Sequence, residues 1–188
     1  MNLIHKIWDY VFQTNKVHPL CKIVCTDGRL SMKGSTVKLG CEIHVDGGML
    51  ELTDVWMDRF VRLSTHSFMS IGKGTTINMC SKIYGDVTIG EDCLIAPNVF
   101  MSSTEHIFDH FKGMKIRDQE KKYLESHDSL PSKPIKIGDD VWLAANTVVL
   151  PGVSICSHVV VGANSVVKRN IEEAGVYVGS PARKIRDL

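Results

Sequence analysis

The sequence predicts an all-β chain wound into a parallel β-solenoid, and three observations carry that prediction. Aliphatic residues recur every six positions between residues 71 and 105. The same register returns after residue 136 and runs on to 171. Short polar or glycine-containing segments separate the apolar pairs in both stretches, as corners separate strands.

In the first stretch each six is led by Ile71, Ile77, Ile83, Ile89, Ile95 or Met101, with Thr75, Ser81, Val87, Cys93, Val99 and Glu105 in fifth place. In the second the leading residues are Ile137, Leu143, Val149, Ile155, Val161 and Val167, and the fifth are Val141, Thr147, Val153, Val159, Ser165 and Ile171. An amphipathic helix repeats its apolar stripe at three and four, so this phase excludes one. A fixed six-residue period marks a solenoid. Positions five and one are expected to point inward, position six outward between them, and positions two to four to turn a corner. Gly72, Gly90, Gly138 and Gly162 stand at such corners, where backbone freedom matters. Three faces close one triangular coil, so twelve sixes make four coils stacked at about 4.8 Å, each burying the next.

The other elements follow along the chain. Residues 1–36 are expected to form an N-terminal cap, in which Ile4, Ile7, Trp8, Val11 and Phe12 line a short helix over the open end of the stack. A membrane-surface helix is the rival reading of that segment, and its face carries few cations. Residues 37–106 hold coils, the early part irregular: Leu39 and Val45 lie six apart, as do Met57, Leu63 and Met69, which adds one or two looser coils. Residues 107–134 contain no sixes and many charges, the pattern of an extruded loop. Coils resume over 135–171, and 172–188 form a C-terminal tail.

Composition narrows the classes. At 188 residues, 44% apolar and 23% charged, the chain suits a single domain. A net charge of +1 offers no overall field for nucleic acid or an anionic membrane. No apolar run approaches the roughly 18 residues of a membrane span, so a cytoplasmic protein without an integral membrane segment is expected. The six cysteines form neither a CxxC pair nor a dense disulfide framework and read as reduced, small apolar residues.

Taken together, "VTIGEDCLIAPNVFMSSTEH", "IKIGDDVWLAANTVVLPGVSICSHVVVGANSVVKRNI" and "YVGSPARKI" closely resemble the hexapeptide-repeat acyltransferases of the galactoside, maltose and surface-polysaccharide O-acetyltransferase group. The resemblance covers about residues 70 to 186. It implies a left-handed parallel β-helix, a homotrimer, and acetyl transfer from acetyl-CoA to a hydroxyl or amine. His106 takes the place of the family's catalytic histidine. Its own position agrees, because position six turns the ring outward at the break in the repeat, where an imidazole could remove a hydroxyl proton. On the residues alone, a solvated loop histidine is the plainer reading. Glu105, a carboxylate at an inward position, is costly to bury; the coil is expected to open there and Glu105 to orient His106.

The same resemblance assigns Asn78 to the acceptor site, against the alternative of an asparagine serving its turn alone. Trp142, with the small Ala144 and Ala145 after it, corresponds to the segment lining the pantetheine channel; the alternative is plain intersubunit packing. Gly162, Ala163, Ser180, Arg183 and Lys184, with Lys168 nearby, correspond to the nucleotide end of CoA, where cations would meet phosphates. Cys156 departs from the family's usual glycine. The expected activity is O-acetylation of a saccharide hydroxyl, in surface polysaccharide or its precursor. The alternatives are N-acetylation of an amino sugar, a zinc enzyme resembling γ-class carbonic anhydrase, and a noncatalytic scaffold. The zinc reading meets an HxxxH spacing at His106 and His110 in place of the HxxxxH of that class, so no metal ligand is assigned.

Overall fold

Alternation along very short strands decides which side chains enter the interior. Val141 and Leu143 are buried while Trp142 between them is exposed, and Val87 and Ile89 are buried on either side of the half-exposed Thr88. The computed structural model describes residues 14–188. The cap helix expected from Ile4, Ile7, Trp8, Val11 and Phe12 lies outside the described residues.

Successive strands visit three sheets in rotation, and neighbours within each sheet run parallel, except at one edge. The first sheet has nine strands, the second seven and the third six. The result is a parallel β-helix of seven coils, with Gly175–Val178 beginning an eighth. Its core is the single column of aliphatic side chains that the six-residue register points inward. Each fully buried one contributes on the order of 1.5–3 kcal/mol.

Two periods coexist. In the upper coils, partners in adjacent turns lie 18 residues apart, as Lys82 with Phe100 and Trp142 with Val160. In the lower coils partners on the first sheet lie 20 apart, Lys16 with Thr36, Thr36 with Trp56 and Trp56 with Thr76, while on the third sheet Leu50 and Met69 lie 19 apart. The extra dipeptide falls in the second sheet, where Val45 and Thr65 are additional buried positions and Cys25 is a half-buried one. Three coils therefore precede the regular four, where one or two were expected. Coiling begins at Lys16, inside the stretch assigned to the cap. Leu39 sits at a corner, and the inward residues there are Val37 and Ile43.

The corners also differ from expectation. Left-handed backbone falls at position four of the six, on Asp92, Asn98, Asp140, Asn146 and Asn164 with φ between 51° and 61°; Asn and Asp are the non-glycine residues that tolerate it best. The glycines at position two serve close approach instead of freedom. A Cβ on Gly72 would lie 2.7 Å from the carbonyl carbon of Gly90, and one on Gly90 would lie 2.7 Å from that of Gly138. Polar residues at position five are buried but bonded between coils: the Thr75 hydroxyl donates to the Gly90 carbonyl at 2.9 Å and accepts from the Cys93 N–H at 3.0 Å.

The excursion over 107–134 leaves the fifth coil and returns to the same rung. Its ends are tied together, the Lys133 N–H donating to the Ser103 carbonyl at 2.8 Å and the hydroxyls of Ser103 and Ser132 lying 2.8 Å apart. It contains a helix, Ile116–Leu124, with Asp118 in the first turn and Lys121 and Lys122 in the last, matching the helix dipole. Residues 172–188, expected as a tail, extend the first sheet through Gly175–Val178. Arg183–Arg186 then turns back antiparallel along its edge.

Candidate active site

His106 stands where the fifth coil is interrupted, with its side chain 83% exposed. Its Nδ1 lies 2.8 Å from Oε2 of Glu120, on the loop helix. An ionised carboxylate can only accept, so Nδ1 carries the proton of the neutral ring and Nε2 keeps the free lone pair. The helix is held in place by the residue before the glutamate. Gln119 is 2% exposed; its amide nitrogen donates to the carbonyls of Phe108 at 2.7 Å and Met114 at 3.2 Å, and its oxygen accepts the Phe111 N–H at 3.0 Å. Glu120 therefore meets His106 from an element that the loop's own hydrogen bonds fix.

A cleft of about 440 Å³ opens beside His106 and runs along the outer face of the second sheet. Its walls include Glu42, His44, Arg62, Ser64, Tyr84 and Ser102. Arg62 donates to Glu42 at 3.1 Å. A second cleft of about 450 Å³ shares His66, Gly85 and Thr104 with the first and is lined further by Asp86, Asp128 and Ser132.

Several expected site residues fall elsewhere. Glu105 does not orient His106: the coil opens as anticipated, but its carboxylate bonds the Lys133 ammonium at 3.1 Å. The carboxylate in contact with His106 is that of Glu120, 14 residues further on, and nothing in the charged run "RDQEKKYLE" marks it beyond that run's helical composition. Asn78 is not among the residues lining the His106 cleft; its side-chain amide donates to the Ile95 carbonyl of the next coil at 3.0 Å, which is the turn-serving role. Trp142 projects from the first sheet, 45% exposed, in one column with Leu94 and Val160. It is on a different face from His106, which follows the second sheet. Ala144 is buried at the corner after Trp142, Ala145 is half-buried there, and Ala163 is exposed at the corner stacked on it in the next coil. A side chain at Gly162 would strike Val178.

At the C-terminal end Lys168, Arg169, Arg183 and Lys184 line a cleft of about 250 Å³. Lys184 is held by Asp187 at 2.8 Å and Glu173 at 2.9 Å, and those bonds keep its ammonium well above the ordinary lysine range. Arg183 bonds only the Ala182 carbonyl among the described residues, and Ser180 is exposed beyond Gly179. The cysteines are free; burial pushes the Cys41 thiol up to about 12 and raises that of Cys93, which makes neither a nucleophile. His110 packs edge-on against Phe111 and Tyr123. Among the described residues no three His, Cys, Asp or Glu side chains gather as a metal-binding group, and no helix is long and apolar enough to cross a membrane.

Comparison with known proteins adds four likenesses. The family described as bacterial transferase hexapeptide (six repeats) matches residues 68–103 and 134–169. The galactoside O-acetyltransferase of Escherichia coli K12 is 36% identical over 137 residues, 72% of this chain and 62% of that protein. The curated relatives it matches are longer, and this chain spans 62% and 50% of the lengths of two of them. Among solved structures, a polysialic acid O-acetyltransferase superposes with a TM-score of 0.66 at 22% identity, over 92% of this chain and 84% of the other. A Vibrio cholerae hexapeptide-repeat acetyltransferase complexed with acetyl coenzyme A superposes at 0.52 with 24% identity, over 87% and 72%. At those identities the two structures speak for the fold.

Proposed function

The chain belongs to the hexapeptide-repeat transferase family, and on that premise we propose that it is an acetyl-CoA-dependent O-acetyltransferase acting on a saccharide hydroxyl. The observation that carries the reading is the 2.8 Å contact of His106 with Glu120 at the mouth of a polar cleft. Nε2 takes the acceptor's hydroxyl proton as that oxygen bonds the acyl carbon; the carbon–sulfur bond breaks, and the imidazolium returns the proton to the departing thiolate. An ester and a free thiol result. Glu120 keeps the ring in the reactive tautomer and stabilises the imidazolium that forms.

The donor supplies an activated thioester. Trp142 with the small Ala144 and Ala145 suits its thin pantetheine arm. Lys168 and Arg183, joined by Arg169, suit its phosphates, whereas Lys184 is already engaged by two carboxylates. The acetyl-CoA bound by the Vibrio cholerae protein supports the same choice. Because His106 and Trp142 occupy different faces of one chain, base and donor arm meet only between copies. The exposed column of Trp56, Leu94 and Trp142 supplies an apolar seam for the homotrimer we infer. Free cysteines fit a reducing compartment, the cytoplasm. Donors and acceptors crowd the cleft, which favours a sugar, as does the galactoside relative.

The test is thiol release from acetyl-CoA in the presence of a saccharide panel. The parent should transfer, and His106→Ala should lower kcat by roughly 10² to 10⁴ with donor affinity retained. Undiminished transfer by folded His106→Ala rejects His106 as the base.

A further inference from the structure

We propose that the His106 cleft holds an uncharged oligosaccharide lying along the axis of the helix, its reacting hydroxyl at His106 and its second and third sugar units over the lower coils. The inference rests on the acetyltransferase reading above and names its substrate class. Its first support is register. His44, Ser64, Tyr84 and Ser102 are partners on four successive coils of the second sheet, so they form one straight row pointing out of the same face. That row spans three rungs, about 14 Å. Glu42, Arg62 and Lys82 form a parallel row beside it, of which Glu42 and Arg62 line the cleft and Lys82 does not. The cleft that touches His106 at one end touches Glu42 and His44 at the other. A single sugar at His106 would leave the far half of the cleft empty.

The second support is the chemistry of the walls. Hydroxyls of Ser64 and Ser102 and imidazoles both donate and accept, as sugar hydroxyls do. Tyr84 presents an aromatic ring beside them, itself edge-on to Phe100 at 6.0 Å between centroids. Charge is compensated within the site: Arg62 is bonded to Glu42, and Glu105 to Lys133. A nucleotide sugar brings a pyrophosphate that needs unpaired cations, and Arg62, the one Lys or Arg among the described cleft walls, is already paired.

The experiment compares, for each of several sugars, the methyl glycoside, the neutral di- and trisaccharide, and the nucleoside-diphosphate sugar as acceptors with acetyl-CoA. For the preferred sugar, kcat/KM should rise about tenfold or more from the methyl glycoside to the di- or trisaccharide, and the nucleotide sugar should do no better than the methyl glycoside. Arg62→Ala and His44→Ala should raise KM for the oligosaccharide and pull the length ratio towards one, while Lys136→Ala on the third sheet leaves the ratio alone. Equal use of mono- and oligosaccharides, or preference for the nucleotide sugar, overturns the inference and leaves the acetyltransferase reading standing. Transfer to no saccharide at all overturns both.

Discussion

At the residue scale the proposed mechanism rests on one histidine and the carboxylate that contacts its Nδ1. Glu120 reaches Nδ1 from a helix that Gln119 clamps to the loop backbone, so the acceptor nitrogen is preserved on Nε2. Glu120→Gln keeps the shape and removes the charge. Its amide can still accept from Nδ1–H, or it can flip and donate, which favours the wrong tautomer. The variant should transfer acetyl at a rate between those of the parent and His106→Ala, with unchanged KM for acetyl-CoA, as read by initial rates across pH. A rate equal to the parent's at every pH would remove Glu120 from the mechanism. This pairing was not legible in the sequence. His106 announced itself by ending a regular repeat, but its partner lies 14 residues on in a segment without periodicity, and only the folded loop brings the two together. Glu105, adjacent in sequence, is the natural candidate and lines the same cleft, yet its carboxylate is bonded to the Lys133 ammonium at 3.1 Å.

At the scale of elements, the regular coils were readable because each six repeats one physical demand, two inward apolar or small residues and a corner. The lower coils hid because a dipeptide added to the second sheet shifts the phase at every turn while keeping alternation within each strand. The reason for the corner glycines was also invisible in one dimension. Freedom is needed at position four, on Asn98 and its counterparts, whereas position two needs the absence of a Cβ against the next coil. Gly90→Ala forces a methyl to within 2.7 Å of the Gly138 carbonyl carbon. It should cost about 1–3 kcal/mol, seen as a lowered melting temperature. Asn98→Gly, at a left-handed residue, should melt close to the parent. If Gly90→Ala melts like the parent and Asn98→Gly does not, the roles given to the two corner positions are reversed.

At the scale of the whole molecule, one chain holds His106 and Trp142, the proposed base and donor-arm residue, apart. His106 follows the second sheet, while Trp142 stands on the first among exposed Trp56 and Leu94. The threefold assembly proposed above would cover the wet apolar column and join the divided site, since closed rings of identical subunits bury one patch against a different one on the neighbour. The central claim is that acetyl transfer takes place where His106 of one copy meets Trp142 of another. The most direct measurement is therefore complementation: His106→Ala and Trp142→Ala chains, each inactive or nearly so alone, are unfolded together, refolded as mixed assemblies and assayed for thiol release with a saccharide acceptor. The account predicts activity roughly tenfold or more above the sum of the separately refolded variants, because mixed assemblies contain junctions where both residues are intact. Activity no greater than that sum, in assemblies shown by mass to contain both chains, would contradict it.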